Sequence, residues 1–199
     1  EQVTRLITLL NDHMVSRVIE LCMEQHGDPG VEFTWLVFGS EARKEQTLYT
    51  DQDNGILFEA NSQEEANAIR QKLLPLAREI NLVLDDCGFS LCKSNVMAGN
   101  AELCLSRQEW LGRFSKIVRG ATPENLMYST ICFDMRAIWG PTEGCQAVRL
   151  DLLSMIHGNN MFQRMMAQSA VQNKPPLGGL FRNFALDKKG LEKDTLDLK

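Results

Sequence analysis

The sequence predicts an α/β (α+β) protein: a small mixed sheet with flanking helices, followed by a mostly helical C-terminal part. Three observations carry this reading. Two short, β-prone apolar runs, 33–38 and 55–58, lie between segments whose apolar residues recur at helical spacing. A polar, charged stretch rich in turn-forming residues separates the two runs. From residue 106 onward, helix start signals and helical spacing replace the strand-like pattern.

Taken in order, residues 3–25 place Val3, Leu6, Ile7, Leu10, Met14, Val18, Leu21 and Cys22 on one stripe, which predicts an amphipathic helix. Gly27-Asp28-Pro29-Gly30 ends it. Phe33–Phe38 reads as a buried strand with Gly39-Ser40 at its carboxyl end, and 55–58 as a second strand directly after Asp51-Gln52-Asp53-Asn54. Ser62 with Glu65 forms a capping box that opens a helix to about Leu84, with a bend expected at Pro75. Residues 88–92 read as a short third strand. A second capping box, Ser106 with Glu109, starts a helix through about Val118, and Thr122-Pro123 starts another to about Trp139. A third helix is expected over 143–171, ended by 174–179, with a hairpin pairing 180–186 with 195–198. The expected division is an α/β domain over 1–104 and a helical part over 105–199.

The 199 residues suffice for one medium domain or two small ones with a real core. Hydrophobic residues make up 44% and charged residues 24%, an ordinary globular balance. A net charge of -5 argues against duplex nucleic acid as a partner, since such binders present a basic face, while leaving room for a local nucleotide pocket. The six cysteines form no C-x-x-C pair and the three histidines are dispersed, so zinc-site spacing is absent. Most of these cysteines lie in apolar segments, which reads as reduced thiols in a cytoplasmic protein. Neither a membrane-spanning apolar run nor a signal-peptide pattern is visible. Both ends read as cut, so the chain is expected to be a piece of a longer protein.

The chemistry concentrates between the first two strands. Asp51 and Asp53 are two apart on extended backbone and can aim both carboxylates at one point. Such a pair is best explained by a shared cation, and hard oxygen donors select Mg2+ or Mn2+. Gly39 lets a phosphate approach the backbone, and Ser40 adds a hydroxyl donor. Arg43 and Lys44 could hold triphosphate oxygens, while Gln46 and Asn54 could orient side chains or nucleotide. Thr-Asp-Gln-Asp-Asn-Gly is also good turn chemistry, which on the residues alone explains the pair without a ligand. An EF-hand loop is excluded, because Gly55 falls one place early and a strand follows. Asp134 and Arg136 could face the cleft and hold substrate, or could form a structural salt bridge.

The segment Phe38 to Asn54 closely resembles the G-S-E-x-R-x-E-Q-T-L-x-T-D-Q-D-N signature of a nucleotidyltransferase family of bacterial signalling proteins. Members are often found behind cyclic-nucleotide-binding and CBS domains. They are similar to PII-protein uridylyltransferases and belong to the DNA polymerase β-like superfamily. Cys92-Lys93-Ser94-Asn95-Val96-Met97-Ala98 looks like the family's C-x-G-G/N-V-M-A segment. Phe133-Asp134-Met135-Arg136 with Gly140 looks like its F-D-x-R-x-x-x-G helix. Pro175-Pro176-Leu177-Gly178 and Leu196-Asp197-Leu198-Lys199 look like later landmarks. The resemblance implies a nucleotidyltransferase-type sheet, Mg-dependent transfer of a nucleoside monophosphate from an NTP, an acceptor such as a PII-like regulatory protein, and upstream sensor domains. It also implies a third carboxylate on a following strand, which residues 88–98 do not supply; Asp85, Asp86 and Glu102 only flank that segment. The competing expectation is a nucleotide-binding regulatory module without turnover.

Overall fold

The structure is a computed structural model and describes residues 2–47, 49–120 and 122–172. Helix α1 (Gln2–His26) leads into strand β1 (Thr34–Phe38), a short helical turn α2 (Gly39–Ala42) and strand β2 (Asn54–Phe58). Helix α3 (Gln63–Asp86) returns along the sheet, and strand β3 (Cys104–Ser106) follows a single 3-10 turn. Helices α4 (Arg107–Arg119) and α5 (Pro123–Cys132), strand β4 (Met135–Trp139), and helices α6 (Glu143–His157) and α7 (Asn160–Gln172) complete the described chain.

The strands form one mixed sheet in the order β3-β2-β1-β4. β1 is antiparallel to β2 and to β4, and β2 is parallel to β3. Every residue of β1 and β2 is buried, because both faces of the sheet are covered. Trp35, Val37, Ile56 and Phe58 pack on one face with Val18 and Ile19 of α1 and Leu73, Ala77 and Ile80 of α3. Leu36, Phe38, Leu57 and Leu105 pack on the other with Trp110 and Phe114 of α4, Cys132, Val148 and Phe162. This side is aromatic-rich: Phe38, Trp110, Phe114, Phe133 and Phe162 form a run with successive centroids 5.5–5.8 Å apart. Gly140, at φ +80°, is required where β4 leaves the sheet, since a Cβ there would lie 2.2 Å from the Phe33 carbonyl oxygen.

The helix start signals act as the sequence indicates. Ser106 and Glu109 make both bonds of a capping box, and the Thr122 side chain accepts from Asn125 N–H with Pro123 in the first turn. Ser62 caps α3, but Glu65 reaches back to the Asn61 amide instead, at 2.7 Å. Pro75 lies inside α3.

Three expectations are corrected. Residues 88–92 form no strand; Ser90 makes one isolated parallel bridge with Asp51, and the third strand is Cys104–Ser106. The helix opened by Thr122 stops at Cys132, and Met135–Trp139 is a strand bound to β1, so the sheet takes its fourth strand from the part expected to be helical. The long helix over 143–171 is two helices: Gly158 caps α6, and Asn159 accepts from Phe162 N–H at 3.0 Å while donating to the Val118 carbonyl at 2.8 Å. The hairpin expected over 180–198 lies outside the described residues. All six cysteines are free, four of them buried. Among the described residues, no helix is long and apolar enough to cross a membrane.

Candidate active site

The carboxyl end of β1 and the entry to β2 meet in one corner. Phe38 N–H donates to the Asp53 carbonyl at 2.9 Å and Gly39 N–H to the Asp134 carbonyl at 3.0 Å, so the turn is held from both neighbouring strands. Gly39 adopts φ +54°, and a Cβ there would lie 3.8 Å from Asp53 Oδ2. The Gly-Ser turn and the second aspartate are therefore in van der Waals reach. This left-handed conformation, which β-carbon-bearing residues rarely adopt, accounts for the glycine.

Burial alternates along the entry to β2, as extended backbone requires. Gln52 and Asn54 are buried, while Asp51 and Asp53 are half-buried and share the opposite side. Asp53 thus lies against the Gly39 turn, while Asp51 is tied to Ser90. Burial pushes the Cys92 thiol above its ordinary value, and the adjacent Asp53 carboxylate adds to the shift. Among the described residues, no group of three or more His, Cys, Asp or Glu side chains is placed to hold a metal ion. The implied third carboxylate is not on β3, which reads Cys104-Leu105-Ser106. Asp85 accepts from Leu91 N–H at 3.1 Å, and Glu102 pairs with Arg113 at 3.2 Å.

The remaining predicted residues divide. Arg43 lies beside the turn, but its guanidinium is engaged by Glu45 at 2.8 Å and Asp134 at 2.7 Å. Burial alone would lower Arg43; its hydrogen bonds to Glu45 and Asp134 outweigh that and hold it above its ordinary value. Lys44 is exposed, at φ +62°. Gln46 is buried and braces the loop, accepting from Asn11 Nδ2 of α1 at 2.9 Å and donating to Thr50 Oγ1 at 3.1 Å.

Asn54 is buried on the face covered by α3. Its Oδ1 accepts from Ala98 N–H at 2.7 Å and from Asn81 Nδ2 at 3.0 Å. Asn81 also donates to Gln52 Oε1 at 2.7 Å and accepts from Gly99 N–H at 2.8 Å. This buried amide network locks the aspartate-bearing segment to α3. Replacing Asn81 with alanine strands several buried partners, so about 2–3 kcal/mol of stability should be lost, read as a lower denaturant midpoint at unchanged m-value.

Sequence reasoning missed one group at the site. Glu41, directly after Ser40, is 5% exposed, and its Oε1 has no hydrogen-bond partner. Burial, then the charge of Asp12, pushes its carboxyl up to about 8; Arg136 opposes this and Asp53 adds to it. Arg136 clamps Asp12 of α1 through two bonds of 2.7 and 2.9 Å and donates to the Glu41 carbonyl at 3.0 Å. Asp134 and Arg136 are therefore structural ties of the Gly-Ser turn. The one available signal was Asn11-Asp12, a polar pair interrupting the apolar stripe of α1.

A mixed sheet in which a Gly-Ser turn abuts an Asp-x-Asp strand entry defines a domain of the nucleotidyltransferase class. Residues 1–124 match the family model described as "Putative nucleotidyltransferase DUF294", and residues 160–199 match "Putative nucleotidyltransferase substrate binding domain". The chain belongs to this nucleotidyltransferase family. No curated protein and no solved structure matches it. Family membership assigns nucleotidyl transfer, and so a nucleotide substrate, in general terms.

Proposed function

We propose that the chain moves a nucleoside monophosphate from an NTP to an acceptor hydroxyl, in the manner of a uridylyltransferase, with a PII-like regulatory protein as the acceptor. The observation that carries this reading is Asp53 against the Gly39 turn, with Asp51 two residues before it and half-buried like it. Two carboxylates fit Mg2+ or Mn2+, which is commonly held by one or two carboxylates together with substrate phosphates. Bound there, the ion would offset charge on the phosphates.

The chain's own groups supply the rest. Ser40 offers its hydroxyl to a phosphate oxygen, and Lys44 places a cation beside the same turn. Arg43 spends Nε on Glu45 and Nη1 on Asp134, and its remaining N–H groups can still donate to a phosphate. The acceptor oxygen bonds to the α-phosphorus as the bond to pyrophosphate breaks, and the hydroxyl proton leaves. Upstream sensor domains in the full-length protein would govern this activity from a cytoplasmic location.

The test is thermal unfolding with each NTP, with and without Mg2+, beside the Asp51→Asn/Asp53→Asn variant. Ligand at about 100 times its dissociation constant should stabilise the chain by about 2.7 kcal/mol, and only with metal and both aspartates. Equal nucleotide binding by the double variant would overturn the assignment.

A second reading is favoured by the absence of a carboxylate on β3 and by the double engagement of Arg43. In it the chain binds nucleotide and signals without turnover. Any nucleotidylated product from labelled NTP excludes it.

A further inference from the structure

Beside Asp51 lies an open cleft of about 360 Å3, whose lining includes Tyr49, Asp51, Ser90, Leu91, Lys93 and Ser94. Its floor is firm: Asp51 bridges Ser90, and Gln52 N–H donates to the Ser90 carbonyl at 2.9 Å. Cys92, another lining residue, lies against Asp53, so the cleft runs alongside both aspartates. Tyr49 is 94% exposed, the most uncovered of the large apolar side chains among the described residues, and Leu91 is 39% exposed. The Tyr49 ring belongs to neither core cluster.

We propose, building on the nucleotide-transfer role of Asp51 and Asp53, that this cleft is the nucleoside subsite, in which the Tyr49 ring stacks on the base of the NTP. The volume falls at the small end of ligand sites, which span roughly 300–1,000 Å3, and suits a base with its sugar better than a protein surface. An uncovered aromatic ring offers a stacking platform to any base. Leu91 extends the apolar contact. Ser90 and Ser94 offer hydroxyls to the sugar and base edges, and Lys93 adds a donor to the lining. The phosphates then lie at the Gly39-Ser40 turn, on the Asp53 side, and the nucleoside on the Asp51 side.

The experiment is calorimetric titration of the full chain in Mg2+ with each NTP and with inorganic tripolyphosphate, which carries the phosphates without a nucleoside. Tyr49→Ala should weaken the preferred NTP between about 5-fold and 100-fold and leave tripolyphosphate binding unchanged. Tyr49→Phe, which keeps the ring, should bind as the unaltered chain does. Because Tyr49 is almost wholly exposed, neither change should move the unfolding temperature of the free protein. NTP affinity untouched by Tyr49→Ala, with Asp51→Asn/Asp53→Asn still abolishing it, overturns the nucleoside subsite alone. Equal loss of NTP and tripolyphosphate binding on Tyr49→Ala overturns it too, placing Tyr49 at the phosphates. If the unaltered chain binds neither ligand, the functional reading falls and the subsite with it.

Discussion

Glu41→Gln should stabilise the protein at pH 8 and leave its stability nearly unchanged at pH 4. The Glu41 carboxyl is pushed up to about 8 by burial, then by Asp12, from an ordinary value of 4.5. Below about 4.5 the folded and unfolded chains both carry the proton, and the group contributes nothing. As pH rises from there, the unfolded chain releases its proton while the folded chain keeps it, so stability falls with pH. The loss is complete once pH passes about 8, where the folded carboxyl also ionises. At about 1.36 kcal/mol for each pH unit, the gap corresponds to on the order of 5 kcal/mol. Glutamine matches the protonated acid in shape and does not ionise. The check is the difference in urea midpoint between the two proteins at pH 4, 5, 6, 7 and 8, in which titration of the histidines cancels. A difference that does not grow with pH would show that Glu41 is ionised in the folded protein.

Trp110→Ala should cost about 3–5 kcal/mol. The indole is fully buried between the sheet and α4, with ring centroids 5.8 Å from Phe38 and 5.5 Å from Phe114. Its Nε1 donates to the Ile56 carbonyl at 2.9 Å. Truncation opens a cavity behind the aspartate-bearing strand and removes the indole's hydrogen bond to the Ile56 carbonyl. Since a domain's whole stability is about 5–15 kcal/mol, the variant should sit close to unfolding at physiological temperature. Denaturant unfolding beside Trp110→Phe, which keeps a ring but loses the donor, separates cavity from hydrogen bond. A loss below about 1 kcal/mol for the alanine variant would contradict the packing described.

The candidate site was legible because its residues are close in sequence. Gly39, Ser40, Asp51 and Asp53 belong to one strand-loop-strand unit, and the alternation of Asp51-Gln52-Asp53-Asn54 is visible as a pattern. The same alternation sends Asn54 to the α3 side, where its role depends on Asn81 and Ala98, and no local pattern reports that. Gln46 likewise depends on Asn11. The missed strand Met135–Trp139 contains Met, Arg and Ala, all good helix formers, and is a strand because β1 offers it hydrogen bonds. Cys104–Ser106 is too short to display a period and doubles as the N-cap of α4. Gly158-Asn159 reads as tolerable inside a helix until Asn159 is seen tied to Val118.

The late origin of β4 has a consequence for how the molecule comes into being. During synthesis β1 leaves the ribosome about a hundred residues ahead of the strand that covers one of its edges. Over that interval Thr-Trp-Leu-Val-Phe, without a charge or a proline, presents a bare edge of the kind that recruits foreign strands. The same delay withholds Asp134 and Arg136, the two tethers of the Gly-Ser turn, so the nascent head has its motif but not its grip. A piece ending at residue 124 would hold that unfinished condition permanently, and the shortest part that can be studied as a head must run through Trp139.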